Sequence, residues 1–177
     1  MAEKSVLIFI ENGFEDLELM YPKYRLHEAG YSVVVAGPKE GYKYTGKHGY
    51  PCSSDALISE MNESDFAGVL LVGGWAPDKL RRDPKVRRLI AEFAEAGKLV
   101  ASICHGGSMA ISAGVVRGVK MAGSQGIKDD LVNAGAFFWD MPVVTDRNFV
   151  SSRQADDLPQ FMMGVLKVLD AQVLAGE

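Results

Sequence analysis

The sequence has little cysteine, little histidine and no excess of either charge. Two cysteines, Cys52 and Cys104, are too few for a disulfide framework, so both are expected to be free thiols in a reducing compartment. The histidines, His27, His48 and His105, show no zinc-ligand spacing. We therefore expect no metal and no other cofactor.

Long hydrophobic runs are absent as well. The apolar segment 6–10 is too short for a signal sequence or a membrane span and is typical of a strand. The net charge is -4 with both signs interspersed, which gives no electrostatic footprint for nucleic acid or an anionic membrane. We expect a cytoplasmic protein that binds neither.

The sequence does contain a regular alternation of apolar strands and helices, over a length of 177 residues that suits one domain, 1–177. Buried strands are predicted at 6–10, 32–36, 68–72 and 98–103, short strands near 137–138, 143–145 and 148–151, and helices at 17–29, 84–96, 106–113, 128–135 and 154–171. The Gly- and Tyr-rich stretch 40–55 predicts an irregular excursion or a short hairpin. Strands that are apolar throughout predict an α/β fold with a mostly parallel sheet and helices on both faces.

The segment SICHGGSMAISAG (102–114) predicts a nucleophile elbow, in which a buried strand turns sharply into a helix. Gly106 and Gly107 allow the turn. Backbone N–H groups at the turn, including that of Gly106, could hold an oxyanion. The helix start is expected to lower the pKa of the Cys104 thiol. His105 is a candidate general acid or base. The alternative is that Cys104 is a small buried hydrophobic residue at a strand end.

Two more loops are expected at this edge, because the carboxyl ends of parallel strands meet there. The loop after the first strand carries Glu15, which we interpret as a carboxyl group in hydrogen-bond reach of Cys104. The alternative is a charge favoured at a helix start. The loop after the third strand offers N–H groups of Gly73 and Gly74 and an apolar wall, Trp75, or is simply a turn with a packed aromatic residue.

With these features the sequence resembles the PfpI family of the ThiJ/PfpI superfamily. The shared stretches, in order through nearly the whole chain, are FEDLEL, TGKHGY (45–50), VGGWAPD, ASICHG (101–106), ISAGVVRG (111–118), GIKDDLVNAG (126–135) and FVSSR (149–153). The resemblance implies a flavodoxin-like sandwich related to class I glutamine amidotransferases, and homodimers or, in some members, hexamers. It also implies that Cys104 is the nucleophile, that His105 lies beside it and that Glu15 contacts the thiol.

The sequence departs from the peptidase-type members of that family at three positions. In those members a Glu from the neighbouring subunit orients the histidine, and the shorter Asp78 stands in its place here. Gly107 replaces a common Pro, and Ser124 replaces a Tyr near the nucleophile. These changes leave the thiol intact and weaken the expectation of peptidase activity.

Three functions remain open. The primary hypothesis, which the family resemblance favours, is a cysteine hydrolase that cleaves peptide or small amide bonds through Cys104. The first alternative is a cofactor-independent glyoxalase or deglycase that acts on 2-oxoaldehydes such as methylglyoxal through a hemithioacetal on the same sulfur. The second alternative is a redox-sensing or chaperone-like stress protein without steady turnover.

Overall fold

A computed structural model of the chain describes residues 4–176. Its helices and strands, in chain order, are β1 (Ser5–Phe9), α1 (Asp16–Glu28), β2 (Ser32–Gly37), β3 (Lys43–Thr45), β4 (Pro51–Ser53), β5 (Ala56–Leu57), β6 (Gly68–Leu71), α2 (Ala76–Leu80), α3 (Pro84–Glu95), β7 (Leu99–Ile103), α4 (Gly107–Ser112), β8 (Lys120–Met121), α5 (Lys128–Asn133), β9 (Phe137–Phe138), β10 (Val144–Asp146), β11 (Phe149–Ser152) and α6 (Leu158–Gly176). The predicted strands and helices are all present, with ends shifted by a few residues.

Seven strands form the main sheet, in the order β10-β11-β7-β6-β1-β2-β5. Every neighbouring pair is parallel except β10 with β11. The helices α1 and α6 contact each other on one side, while α2, α3, α4 and α5 form a second connected group. The prediction of a mostly parallel α/β sandwich is confirmed.

The position of β1 in this sheet determines where a site can form. The chain leaves β1 toward β2 on one side and later returns to β6 on the other, so the strand order reverses at β1. A crevice opens beyond the carboxyl ends of strands at such a reversal. The loops that follow β1, β6 and β7 meet there.

The excursion after β2 folds into the antiparallel hairpin β3–β4. Asp16, the first residue of α1, holds this hairpin, because its carboxylate accepts backbone N–H groups of His48 at 2.8 Å and Tyr50 at 2.7 Å. Gly46 fits beneath the same carboxylate, where a Cβ atom would lie 2.5 Å from it. The predicted hairpin is therefore attached to the same end of the sheet.

The C-terminal helix α6 has the length and the apolar composition of a membrane span. Its sequence pattern gives a different explanation, since Phe161, Val165 and Leu169 are buried at four-residue intervals while Met163 is 73% exposed. These buried side chains belong to the hydrophobic core, and α6 contacts β7 and β11. The helix is a layer of the sandwich.

Candidate active site

The predicted elbow is present at the end of β7. A single 3₁₀ turn, Cys104–Gly106, links the strand to α4. Cys104 has a φ of 57°, a left-handed conformation that costs a non-glycine residue free energy. Gly106 is required for steric reasons, because a Cβ atom there would collide with the backbone carbonyl of Leu71 in β6. The strained turn presents the sulfur at the sheet edge.

The carboxyl group that contacts the sulfur belongs to Glu18, and the prediction of Glu15 is wrong. Glu18 is 1% exposed, hydrogen-bonds Cys104, and accepts the Gly73 N–H at 2.8 Å. Glu15 is the N-cap of α1, and its side chain turns back to accept the N–H of Glu18 at 2.9 Å. Its other oxygen lies 3.5 Å from Nε2 of His48. Residue 18 lies on the face of the helix that is buried against the loop after β6.

Burial raises the pKa of Glu18 to about 7. The Gly73 N–H favours the ionised form and opposes this rise, while the negative charge of Glu15 adds to it. The Glu18 carboxyl group therefore changes its charge near neutral pH. That is the range in which a general acid or base is most useful.

The predicted lowering of the Cys104 pKa is wrong. Burial and the Glu18 carboxylate raise the pKa of the thiol to about 12, although backbone N–H groups of His105 and Gly74 favour the thiolate. Two anions in hydrogen-bond contact repel each other strongly in a buried place, so the two groups share one proton near neutrality. When that proton lies on Glu18, the carboxyl group donates to the sulfur and the thiolate is stabilised.

His105 lies beside the thiol, with Nδ1 3.3 Å from Sγ of Cys104. Burial and the charge of Lys47 lower the pKa of its imidazole, which is therefore neutral near pH 7. Within residues 4–176 no carboxylate hydrogen-bonds the ring. Asp78, the predicted cross-subunit acid, is exposed on α2 and pairs with Arg82. Its role in a triad stays a prediction for the assembled protein.

The loops after β1 and β6 are joined by their backbones. The Trp75 N–H donates to the Gly13 carbonyl at 2.7 Å, and Gly74 has a φ of 84° that lets it pass close to that carbonyl. This junction brings the predicted Gly74 N–H to the Cys104 sulfur. The Trp75 ring, predicted as a wall of the site, instead lies on the surface, with Nζ of Lys47 4.9 Å from its centroid.

A cavity of about 370 Å³ opens beside the thiol. Its lining residues are Cys104, Ser124, Gln125, Asp140, Arg153 and Gln154. Besides Cys104, the sequence analysis named one of these residues by itself, Ser124, as the replacement of a Tyr. The others lie on the loops that follow β8, β9 and β11, and the only sequence signal for any of them was Arg153 within FVSSR.

Three potential metal ligands do cluster, in contrast to the expectation from the sequence. Atoms of Glu15, Asp16 and His48 lie within 4.8 Å of one another. The acids already have partners, because Glu15 caps α1 and Asp16 accepts two N–H groups from the hairpin. Helix capping and hairpin attachment account for this cluster.

Comparisons with known proteins agree with the predicted family. A family model described as the DJ-1/PfpI family matches residues 4–168. A deglycase from Pyrococcus abyssi is 45% identical over 164 residues, covering 93% of this chain and 98% of the relative. A Bacillus subtilis relative with the provisional name cysteine protease YraA is 39% identical over 166 residues, 94% of this chain and 98% of that protein. These names agree with the prediction of a cysteine-dependent enzyme.

A solved structure shares the fold. It is a two-domain protein from Anabaena variabilis with DJ-1/ThiJ/PfpI-like and ferritin-like domains, which is 40% identical with a TM-score of 0.92. The match covers 94% of this chain and 48% of that one, so the chain spans about half the length of the two-domain protein. The flavodoxin-like fold implied by the resemblance is confirmed.

Proposed function

Since the chain belongs to the DJ-1/PfpI family, we propose that it is a cofactor-independent enzyme that converts 2-oxoaldehydes, free or as adducts, to hydroxy acids through Cys104. Deglycases are among its relatives at 42–45% identity. The observation that supports this function most directly is the contact between the Cys104 thiol and a buried carboxyl group whose pKa is raised to about 7.

The first step is addition of the thiol to the aldehyde. The proton of Cys104 passes to the Glu18 carboxylate as the S–C bond forms, and Glu18 then gives that proton to the aldehyde oxygen. The product is a neutral hemithioacetal. The N–H groups of His105 and Gly74, which now contact the sulfur, lie where they can stabilise negative charge during the addition.

The second step moves hydrogen between the two substrate carbons. Glu18, again a carboxylate, removes the proton from the hemithioacetal carbon to give an enediolate and returns it to the neighbouring carbon, while the hydroxyl proton on the first carbon passes to the oxygen of the second. The first carbon is thereby oxidised to a thioester while the second is reduced to an alcohol. Water then hydrolyses the thioester, which releases the hydroxy acid and restores the thiol.

A hydrolase is the second candidate, favoured by the backbone N–H groups at the sulfur and by the name of the Bacillus subtilis relative. It requires an oriented histidine to protonate the leaving amine. The acid predicted to orient His105 is Asp78 of a neighbouring subunit, whereas the thiol and the carboxyl group that the 2-oxoaldehyde reaction needs already meet within one chain. The raised pKa of the resting thiol does not favour the redox-sensing alternative.

The test is turnover of methylglyoxal to lactate. We expect activity in the wild type, its loss in Cys104→Ser, and a fall of roughly 10²-fold in Glu18→Gln, the magnitude typical of a general acid–base group. Cys52→Ser is the matched control, because Cys52 lies in β4, outside the site, and should keep full activity. Activity that survives in Cys104→Ser would contradict the proposal. Casein cleavage that depends on Cys104, without methylglyoxal turnover, would establish the hydrolase instead.

We also propose that the chain forms a homodimer in the cytoplasm. Leu17, Tyr21 and Tyr24 form an exposed apolar stripe on α1, 59%, 39% and 55% accessible, at helical spacing. Tyr24→Arg would place like charges against each other in a symmetric interface. We expect light scattering to show a dimer for the wild type and for the control Tyr42→Arg, and a monomer for Tyr24→Arg. A Tyr24→Arg dimer would contradict this surface.

A further inference from the structure

One cationic side chain, Arg153, lines the cavity beside Cys104, and each of its three guanidinium nitrogens donates to a carboxylate. Its Nε and Nη2 donate to the buried carboxylate of Asp157 at 2.9 and 3.0 Å. Its Nη1 donates to Asp140 at 3.0 Å. The second oxygen of Asp140 accepts from Gln125 at 3.2 Å. The guanidinium group therefore contacts carboxylates of the chain on both of its edges.

The local charge follows from this arrangement. The wall of the cavity carries one guanidinium, of Arg153, and one carboxylate, of Asp140, and the buried carboxylate of Asp157 adds a second negative charge behind the guanidinium. Asp157 is 7% exposed at its side chain, whereas Asp140, at 58%, faces solvent at the cavity. Lysines of the surrounding segments lie over aromatic rings, Lys47 over Trp75, Lys120 over Trp139 and Lys128 over Phe138, and none of them lines this cavity. A carboxylate ligand would meet the charge of Asp140 and would find each guanidinium nitrogen of Arg153 already donating to a carboxylate.

We propose that Asp140 is a specificity-determining residue that occupies Nη1 of Arg153 and so prevents the thiol cavity from binding carboxylates. The cavity then accepts uncharged carbonyl compounds and rejects 2-oxo acids. It also releases an anionic hydroxy acid easily, a consequence that rests on the proposed function. Without Asp140, the same guanidinium edge would form an anion site beside the nucleophile.

Two alkylating reagents of nearly equal size test the charge preference directly. Iodoacetamide is neutral and iodoacetate is an anion, and both lose iodide as the thiolate forms an S–C bond. We measure the ratio of their rates at Cys104 by peptide mass spectrometry, relative to the same ratio for N-acetylcysteine. Both reagents react with the same thiolate, so the effect of a changed thiol pKa on the two rates cancels in their ratio.

We expect iodoacetate to be disfavoured in the wild type and about tenfold less disfavoured in Asp140→Asn, which corresponds to one close charge pair at a partly exposed site. High salt should reduce the difference. Asp140→Glu keeps the charge and should restore the wild-type ratio. Asp156→Asn removes an exposed acid, whereas Arg153 pairs with Asp140 and Asp157, and it should leave the ratio unchanged.

The proposal is overturned if Asp140→Asn leaves the ratio at its wild-type value, or if Asp156→Asn shifts it equally. Thermal unfolding of each variant shows that the comparison is between folded proteins. As a second measurement, glycolate should protect Cys104 of Asp140→Asn from iodoacetamide more strongly than it protects the wild type. Uncharged glycolamide should protect both alike. These readouts need no turnover, so their failure is distinct from a failure of methylglyoxal conversion.

Discussion

The stability of the Glu18→Gln variant relative to the wild type, measured as the difference in unfolding free energy, is expected to increase as the pH rises. Glutamine has nearly the shape of a protonated glutamate. Its oxygen can accept the Gly73 N–H and its amide can donate to the sulfur, without a buried charge. The folded wild type has a Glu18 pKa of about 7 against an ordinary 4.5, a difference of about 2.5. At 1.36 kcal/mol per unit this corresponds to about 3 kcal/mol.

The sign of the effect follows from the raised pKa in the folded state. The favourable contribution of protonated Glu18 is complete below about pH 4.5 and is lost as the pH rises through about 7. Glutamine does not titrate. The unfolding free energy of Glu18→Gln minus that of the wild type should therefore grow by about 3 kcal/mol between pH 4 and pH 8.

Urea unfolding followed by circular dichroism across this pH range measures that difference. Glu95→Gln is the matched control, since Glu95 is exposed on α3 and the same change there should give a flat difference. Because burial is the largest cause of the shift, the effect should persist in a Cys104→Ala background. A difference that stays constant with pH, or that falls as the pH rises, would refute the assignment of a raised pKa to Glu18.

Three other changes test the site. In the wild type, the rate of Cys104 alkylation by iodoacetamide should rise through about pH 7 and then level off, because one proton must leave the Cys104–Glu18 pair. In Glu18→Gln the rate should keep rising beyond pH 8. Identical profiles for the two proteins would contradict proton sharing. Gly106→Ala should cost about 3 kcal/mol or more in thermal or denaturant unfolding, since its Cβ would collide with a β6 carbonyl, whereas the same change at the next residue should be mild. Asp157→Asn should lower the unfolding midpoint, because it removes the buried carboxylate that Arg153 contacts with two hydrogen bonds, and an unchanged midpoint would show that the pair is dispensable.

The fold could be predicted because its main strands are apolar along their whole length. In β1, Val6, Leu7, Ile8 and Phe9 are all fully buried, as a strand covered on both faces requires. The elbow could also be predicted, since a strand followed by Cys-His-Gly-Gly and a helix permits few backbone paths. In both cases the local sequence determines the local structure.

The choice between Glu15 and Glu18 depended on the direction of a side chain. Both acids lie near the start of α1, and the side chain of a residue just before a helix caps the free N–H groups of the first helical turn. Helical periodicity contained the missing signal, because the buried Leu19, Pro22 and Leu26 define a face that also includes Glu18. An acidic residue on the buried face of a helix requires a polar partner, here Gly73 and the thiol.

The cavity lining could not be predicted for a different reason. Asp140 and Arg153 follow different strands, and they meet because the loop after β9 contacts the end of β11, where the Ser152 hydroxyl donates to the Pro142 carbonyl. Loop paths of this kind depend on tertiary contacts that no local pattern records. The raised pKa of Cys104 was missed because its largest cause is burial of the thiol, which the sequence did not show, whereas the helix start and a carboxyl group beside the sulfur, assigned to Glu15, were both expected.

The tight contact of Gly106 with the carbonyl of β6 has an evolutionary consequence. Gly106 cannot take a side chain without a rearrangement of the central strands, so the backbone path of the reactive corner is held constant by its geometry. Diversification of substrate among proteins built this way should therefore be concentrated in the surrounding loops, where a single exchange such as one at Asp140 alters the electrostatics and leaves the scaffold unaffected.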